Sequence, residues 1–427
     1  MVSITTDPGP AFQDDVATRA ARRTDGRLNR PMSATTDRLF TPRFFLMCAF
    51  SFTIFLSAFQ LFPTAPFHIR DLGGTTFAAG LFLACLTFAS AASAPFTGAL
   101  ADRLGLRRTL VTSGLAITVF AVGYAWLPDY HLMLGLTVLH GLFWSGLLTA
   151  SAAYMSSILP ASRRAEGISY WGLSSVLAMA VGPTLGFWIY RHGWVPLCLE
   201  MGALNLTMAI IAWRLPDERA HAPHAPGSHM GPLVEWRVMV LAGTLLLYSY
   251  SYGAITSFAA MYAESNGVVP KGVYLTVVGL TIIATRPFLG RLGDRVGYVR
   301  LMVPCFFLIS LGLMALVSGG TRGWQVLSAV VFGTGYGTAY PLFAAYVLQR
   351  VHAARRGAAF GGIIAAFDTG IGAGSLLTGW LVGLWGYQAA FAVGAALSAL
   401  AIPYFFTARR VLPELQDHDG VGTVCAG

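Results

Sequence analysis

The stretch APFTGALADRLG, Ala94 to Gly105, is followed 192 residues later by RPFLGRLGDRVG, Arg286 to Gly297. The same shift places Arg163 and Arg164 on Arg355 and Arg356, Gly141 on Gly333, and Gly182 on Gly374. Several clusters that match at one common shift indicate an internal repeat, because single residues match by chance far more easily than clusters do. The chain is therefore predicted to consist of two related halves.

The composition of the chain is typical of a membrane protein. Hydrophobic residues make up 55% of the 427 residues, charged residues make up only 11%, and the mean hydropathy is +0.62. Twelve apolar segments of about twenty residues, each long enough to cross a hydrocarbon core of about 30 Å, recur between residues 44 and 407. A closed β-barrel would show shorter alternating segments. We expect an all-α membrane protein with twelve transmembrane helices in two pseudo-symmetric six-helix bundles.

The longest break between the apolar segments separates the two halves. The expected organisation is a low-order cytoplasmic tail at 1–42, six-helix bundles at 43–214 and 235–408, a cytoplasmic linker at 215–234 and a cytoplasmic tail at 409–427. Residues 1–42 contain no apolar core of signal-peptide length, so no cleaved leader is expected.

Basic residues determine the expected orientation, because Arg and Lys near the ends of spans stay on the cytoplasmic side. Of the 28 basic residues, Arg70, Arg191, Lys271 and Arg322 fall in the loops of one side, and Arg286 falls within a span. All others flank the side that carries both termini. We expect a multi-pass protein of the inner (cytoplasmic) membrane with both termini in the cytoplasm. Contact with anionic lipid accounts for the net charge of +9 without a nucleic-acid partner.

No sequence feature predicts an enzyme, a metal site or a cofactor. The five cysteines fall in different segments or in the tail, and no CxxC or metal-ligand spacing of His is present. No nucleotide-binding loop or nucleophile motif is found either. A membrane receptor or a membrane-embedded enzyme is therefore disfavoured.

The repeated loop resembles a motif of the major facilitator superfamily. GALADRLGLRRTL, Gly98 to Leu110, is similar to that family's GxLaDRxGrkxxl loop between helices two and three, and GRLGDRVGYVRL, Gly290 to Leu301, lies between helices eight and nine. The resemblance implies secondary transport by alternating access, in a family that is commonly monomeric, with both loops latching the halves on the cytoplasmic side. The implied latch residues are Asp102, Arg103, Asp294 and Arg295. Leu106 stands where the family usually has a basic residue, which predicts a weaker first latch. The alternative is that these charges only cap helices.

Two other segments resemble exporters of the superfamily. AMAVGPTLGFW, Ala178 to Trp188, carries Gly182, Pro183 and Gly186 in a pattern similar to the GP-containing exporter motif, although such a pair is also common in simple helix packing. AAFDTGIGAGSLLTGWL, Ala365 to Leu381, resembles a branch that includes drug, sugar and siderophore or metallophore efflux proteins. The resemblance implies proton-coupled export of a small organic molecule, driven by the proton gradient without a cofactor. Thr137 replaces the arginine that is linked with coupling in drug antiporters, so coupling would use other residues.

Ionisable side chains inside spans are costly and are therefore the candidates for coupling. They are Asp368, His140 and Glu200. Asp368 lies about 16 Å from the cytoplasmic end of its helix, where a carboxyl group could exchange a proton as a cavity opens to each side. Packing is the alternative role for Asp368 and for His140. Arg286 could reach the interface, pair with Asp368 or bind an anionic group, so import of a small anion or carboxylate is the second hypothesis.

Polar and aromatic side chains on pore-facing helices are expected to bind the small-molecule substrate, while lipid surrounds the protein. The substrate-binding candidates are Gln60, Trp144, Tyr154, Tyr170, Tyr248, Tyr252 and Arg286. Tyr248, Tyr250 and Tyr252 are each two residues apart, so one helix cannot place all three on the same face. At least one of them is expected to pack elsewhere.

Overall fold

The computed structural model describes residues 38–217, 236–351 and 356–411. The predicted linker therefore lies largely outside the described residues, as do nearly all of both tails. Within the described residues the chain forms helices with short connections and no strand, which confirms the prediction of an all-helical protein for this part.

The first half contains six long helices joined by short turns. They are α1 (Pro42–Asp71), α2 (Thr76–Leu104), α3 (Leu106–Gly123), α4 (Tyr130–Ile158), α5 (Arg164–Tyr190) and α6 (Trp194–Arg214). Side chains cap several of their first turns. The hydroxyls of Thr41 and Thr75 accept hydrogen bonds from the backbone N–H groups of Phe44 and Ala78, and these bonds satisfy donors that the helix itself leaves free.

The second half follows the same order. It contains α7 (Trp236–Ser265), α8 (Val273–Val296), α9 (Tyr298–Ser318), α10 (Arg322–Arg350) and a last helical stretch, Arg356–Val411. Gly386, with φ 81° and ψ 175°, breaks this stretch into α11 (356–385) and α12 (387–411). Ten helical stretches of the described residues are long and apolar enough to cross a membrane when Ala359–Arg410 is taken as one, and α8 has a shorter apolar run, Val273–Leu289.

The internal repeat is visible in the backbone. Gly105 has φ 90° and ψ 145°, and Gly297, its counterpart in the repeat, has φ 95° and ψ 144°. Each glycine ends one helix and begins the next, in a conformation that side chains rarely allow. The two copies of the motif therefore make the same sharp turn.

The repeat is also visible in the packing of glycines. A Cβ at Gly141 on α4 would meet the carbonyl oxygen of Leu86 on α2, and a Cβ at Gly333 on α10 would meet that of Val278 on α8. Both the glycines and their partners are related by the shift found in the sequence. Small residues allow this close approach of helix backbones in membrane proteins.

The packing of whole helices follows the same plan in each half. In the first half α1 packs against α5 and α6, α2 packs against α4, and α3 packs against α4 and α6. In the second half α7 packs against the last helical stretch, α8 against α10, and α9 against α10 and the last stretch. The halves meet mainly where α2 packs against the last stretch and where α5 packs against α8.

The two ends of the helices differ in charge. We call the end at which α1 begins and α2 ends the basic face, since the described arginines Arg43, Arg103, Arg107, Arg108, Arg163, Arg164, Arg214, Arg237, Arg295, Arg300, Arg350, Arg409 and Arg410 lie at helix ends there. We call the other end the opposite face.

We expect Gly374→Ala on α11 to destabilise the protein, because the new Cβ would overlap the carbonyl oxygen of Tyr250 on α7. Overpacking of this kind costs about 1–3 kcal/mol of unfolding free energy. Gly361→Ala on the same helix is the matched control, since its Cβ meets no atom within 4 Å. Thermal unfolding of the detergent-solubilised variants should show a lower midpoint for Gly374→Ala alone. Equal midpoints would contradict this packing.

Candidate functional site

The first contact line between the halves is the seam between α2 and α11. Thr76 faces Gly383, Gly80 faces Gly379, Thr87 faces Gly372 and Ser90 faces Asp368. The hydroxyl of Ser375 also donates a hydrogen bond to the carbonyl oxygen of Gly80 over 2.8 Å. The glycines leave no space between the helices, so this seam is tightly closed from the opposite face to its middle.

The second contact line is the seam between α5 and α8. Gly272 lies against Pro183, Gly279 lies against Ala180, and the hydroxyls of Thr184 and Thr276 are 2.8 Å apart. Because the repeat relates α2 to α8 and α5 to α11, the two seams are equivalent in the two halves. On the opposite face, Lys271 beside α8 lies 4.8 Å from the ring centre of Phe67 on α1 and adds a further contact between the halves.

The located contacts of the α2–α11 and α5–α8 seams extend from the opposite face to mid-helix. The last of them are Ser90 with Asp368 in one seam and Gly172 with Arg286 in the other. Nearer the basic face, Phe96 on α2 and Phe288 on α8 are 76% and 73% exposed. In the described residues the two seams therefore join the halves at the opposite face and at mid-helix.

Asp368 lies where the α2–α11 seam ends. Its Oδ2 atom accepts a hydrogen bond from the Ser90 hydroxyl of the other half over 3.1 Å, and its side chain is only partly buried. The equivalent position in the other seam is Val176, so the repeat does not require a carboxylate here. Asp368 thus links the two halves through one hydrogen bond.

Four tyrosines form a cluster beside Asp368, which we call the tyrosine cluster: Tyr248 and Tyr252 on α7, and Tyr336 and Tyr340 on α10. The rings of Tyr252 and Tyr336 stack at 4.5 Å, and the rings of Tyr248 and Tyr336 are 6.0 Å apart. Asp368 lies within electrostatic range of Tyr336 and Tyr340.

The tyrosine cluster has free hydrogen-bonding capacity. The hydroxyls of Tyr248 and Tyr336 are buried and have no hydrogen-bond partner among the described residues. The hydroxyl of Tyr252 donates to the sulfur of Met179 on α5, in the other half, over 3.2 Å. Since a buried hydroxyl without a partner is costly, these groups are suited to bind a polar ligand or water.

Sequence reasoning found half of this cluster. Tyr248 and Tyr252 share a helix face, whereas Tyr250 points to Thr378 on α11, which confirms that the three tyrosines could not face one site. Tyr336 and Tyr340 were missed. Their spacing of four residues in GTGYGTAY, the same as that of Tyr248 and Tyr252, was the available signal.

Arg286 lies in the α5–α8 seam without a described partner. Its guanidinium group faces Gly172, where a Cβ would lie 3.3 Å from Nη2. Among the described residues it makes no hydrogen bond and no ion pair, and it does not pair with Asp368 in this conformation. The equivalent residue in the other seam is Ala94. The two charges therefore lie in different seams.

His140 lies inside the first half, away from both seams. Its Nδ1 atom is 3.2 Å from the hydroxyl of Tyr124, which also contacts Thr137. The rings of Phe120 and Trp144 lie about it at 6.0 and 6.4 Å. These contacts fit the alternative role of His140, which is to pack the helices of the first half. A role of His140 in proton coupling stays a prediction.

Four of the predicted substrate-binding residues lie apart from the tyrosine cluster. Trp144 packs edge to face on Phe55 of α1, and Gln60 donates a hydrogen bond to Glu200 on α6 over 3.3 Å. Tyr154 and Tyr170 lie near the basic face, where Tyr154 donates to the carbonyl oxygen of Pro216 and Tyr170 is 44% exposed. No described contact brings these four side chains to one site, so only Tyr248 and Tyr252 of the predicted aromatic set share a cluster.

The GP motif of α5 serves two contacts. Gly182 and Gly186 pack on Phe59 and Gln60 of α1, where a Cβ at either glycine would lie 2.8 to 3.0 Å from the partner side chain. Pro183 instead meets Gly272 at the start of α8. The motif therefore packs α5 on α1 with one face and closes the α5–α8 seam with another.

The predicted cytoplasmic latch is only partly described. The side chains of Asp102 and Asp294 lie outside the described residues. Arg103 and Arg295 are exposed at the basic face, at the ends of α2 and α8. Their role as a latch stays a prediction.

Comparison with known proteins identifies the family. The family model described as Major Facilitator Superfamily matches residues 44–270 and 241–422. The MFS-type transporter YhhS of Escherichia coli (strain K12) is 25% identical over 380 residues, which cover 86% of this chain and 92% of the relative. An MFS-type transporter of Burkholderia pseudomallei (strain K96243) is 24% identical over 364 residues, covering 83% and 89%.

Two solved structures share the fold. The nucleoside transporter NupG superposes with a TM-score of 0.69 at 16% identity, covering 86% of this chain and 99% of that one. The human organic anion transporter MFSD10 (TETRAN) superposes with a TM-score of 0.68 at 16% identity, covering 86% and 100%. Since the family model also covers most of the chain, this protein belongs to the major facilitator superfamily of transporters.

Proposed function

We propose that this transporter works by alternating access and exports a small organic molecule, such as a drug, a sugar or a siderophore-like metabolite, in exchange for protons. Two six-helix bundles, 43–214 and 235–408, rock about a cavity between the α2–α11 and α5–α8 seams. Counting α8 and both parts of the last helical stretch gives the twelve crossings of this proposal. The protein acts as a monomer in the inner membrane with both termini in the cytoplasm, and it needs no cofactor besides the proton gradient.

The observation that carries the proposal is the position of Asp368. The Asp368 carboxyl group lies at the end of a seam, accepts a hydrogen bond from the other half and borders tyrosine hydroxyls that have no described partner. Its surroundings therefore change when one half moves against the other. When the opposite face opens, the contact with Ser90 must break. Release and uptake of a proton by Asp368 can then follow the conformational cycle, which is what coupling requires. The GP motif supports the exporter direction.

The test is transport by everted membrane vesicles that hold an imposed pH gradient. We would offer ethidium, lactose and a hydroxamate chelator as probes of the three substrate groups. Gradient-dependent accumulation of at least one probe, abolished by collapsing the gradient, is the expected result. Accumulation that is unchanged after the gradient collapses would contradict proton coupling.

A second candidate function, import of a small anion or carboxylate, is favoured by Arg286. Its guanidinium group is partly buried, lies at the end of a seam and has no described partner, so an anionic substrate group could bind it. If this is the function, Arg286→Gln should weaken uptake of a benzoate probe by about 10- to 100-fold, since a hydrogen bond to a charged group contributes about 1.5–3 kcal/mol.

Arg286→Lys, which keeps the charge, should retain part of this affinity. Arg322→Gln, which removes an exposed arginine from the opposite face, is the matched control and should leave uptake unchanged. Initial uptake rates at varied benzoate concentration give the affinity. Equal affinity in Arg286→Gln and in the unaltered protein would exclude this second function.

A further inference from the structure

A polar pair, the buried Gln60 and the partly buried Glu200, lies between α1 and α6. Gln60 Nε2 donates a hydrogen bond to Glu200 Oε1 over 3.3 Å, and Gln60 is fully buried. Helix α5 covers Gln60, because Gly186 packs directly on the Gln60 side chain. The transport cycle proposed above does not use this pair.

The two side chains together lack one hydrogen-bond donor. Gln60 Oε1 and Glu200 Oε2 are both buried, and neither has a hydrogen-bond partner in the part of the chain that the structure describes. An ionised carboxylate contains only acceptors, so it would leave both oxygens unsatisfied. A protonated carboxyl group supplies the missing donor, since its O–H can donate to Gln60 Oε1 while Gln60 Nε2 keeps donating to Glu200 Oε1. An acid and an amide then form a closed ring of two hydrogen bonds.

Within the described ranges, Glu200 forms no ion pair with a charged side chain. Gln60 is the hydrogen-bond partner that the described residues give the Glu200 carboxyl group. Three titratable groups on neighbouring elements have partners of their own. His68 on α1 stacks on Trp194, Tyr124 contacts His140 and Thr137, and Tyr190 on α5 donates to Asp71.

We propose that Glu200 and Gln60 form a proton-binding site, in which Glu200 is a neutral carboxylic acid paired with the Gln60 carboxamide. The site joins α1 to α6 and gives the first half a proton of its own, separate from the one proposed for Asp368 in the second half. The proposal does not depend on the transport function, because it concerns the protonation state of the resting protein.

Infrared spectroscopy of the purified full-length protein tests it directly. The background is Asp368→Asn, which removes the other carboxyl group deep within a helix. The spectrum of the Asp368→Asn, Glu200→Gln double variant is subtracted from that of the Asp368→Asn variant at neutral pH. The difference should contain the carbonyl band of a neutral carboxylic acid, and this band should shift in heavy water. A difference spectrum with carboxylate bands only would overturn the proposal.

A metal cation could satisfy the same two oxygens, so the spectra should be recorded in sodium and in choline buffers. The proposal predicts the same acid band in both. An acid band in choline that is replaced by carboxylate bands in sodium would assign the site to a sodium ion and overturn the proposal.

Thermal unfolding separates the ring from a general packing role. Glu200→Gln keeps the shape and allows an amide–amide ring, so its unfolding midpoint should stay close to that of the unaltered protein. Glu200→Asp is too short to close the ring, and its midpoint should fall by several degrees. A Glu200→Gln midpoint as low as that of Glu200→Asp would contradict the paired ring.

Discussion

Asp368→Asn is expected to abolish gradient-driven accumulation of substrate while leaving substrate exchange intact. Asparagine keeps the size of the side chain and an oxygen that can accept the hydrogen bond of Ser90, but it cannot release or take up a proton. A gradient of about one pH unit is worth about 1.4 kcal/mol per proton, enough for about tenfold accumulation. The Asp368→Asn variant should lose this tenfold accumulation.

The measurement uses everted vesicles and whichever probe the unaltered protein accumulates. Accumulation under a pH gradient should fall to the level of control vesicles, whereas counterflow without a gradient should continue. Glu264→Gln, which neutralises an exposed acid beside Lys271 at the opposite face, is the matched control and should accumulate normally. Full gradient-driven accumulation by Asp368→Asn would exclude Asp368 from coupling.

A disulfide across the α5–α8 seam is expected to stop transport reversibly. The hydroxyl oxygens of Thr184 and Thr276 are 2.8 Å apart, so cysteines at these positions would place their sulfur atoms close together. The bond would hold the two halves together near the opposite face. A transporter that must open this face once in each cycle should then retain almost no activity, and a reductant should restore it.

The matched control is the pair Thr97→Cys and Ser145→Cys, whose hydroxyls are 3.1 Å apart on α2 and α4 within the first half. That disulfide joins helices that move together, so transport should continue. Both pairs would be introduced after replacement of Cys48, Cys85, Cys198, Cys305 and Cys425. Undiminished transport by the oxidised Thr184→Cys, Thr276→Cys protein would show that the seam need not open.

The fold followed from the sequence because membrane helices carry strong local signals. Continuous apolar segments, the repeated motif and glycines such as Gly105 and Gly297 determine helices, turns and the order of packing. In the second half α11 and α12 are joined at Gly386 without an intervening loop. A single glycine with positive φ is a weak signal in a sequence that contains 48 glycines.

The candidate site was predicted less completely than the fold. Which side chains meet in one site depends on how each helix is rotated about its axis and on contacts between residues far apart in the sequence. Asp368 could be recognised from its depth alone, but its partner Ser90 is 278 residues away. Gln60 and Glu200 were each named as candidates, yet their pairing depends on how α1 rotates against α6. Tyr170 was predicted to bind substrate from its residue type, whereas its place near the basic face leaves it 44% exposed.

The two halves are expected to rock against each other and to open the two faces alternately. Distances between spin labels measure this directly, with one pair at the basic face, Arg108→Cys and Arg300→Cys, and one at the opposite face, His131→Cys and Gly323→Cys. All four positions are exposed, and the repeat relates the members of each pair. Reconstituted protein should show two states, in which the basic-face distance shortens as the opposite-face distance lengthens. Distances that stay fixed at both faces, or that lengthen together, would contradict the account.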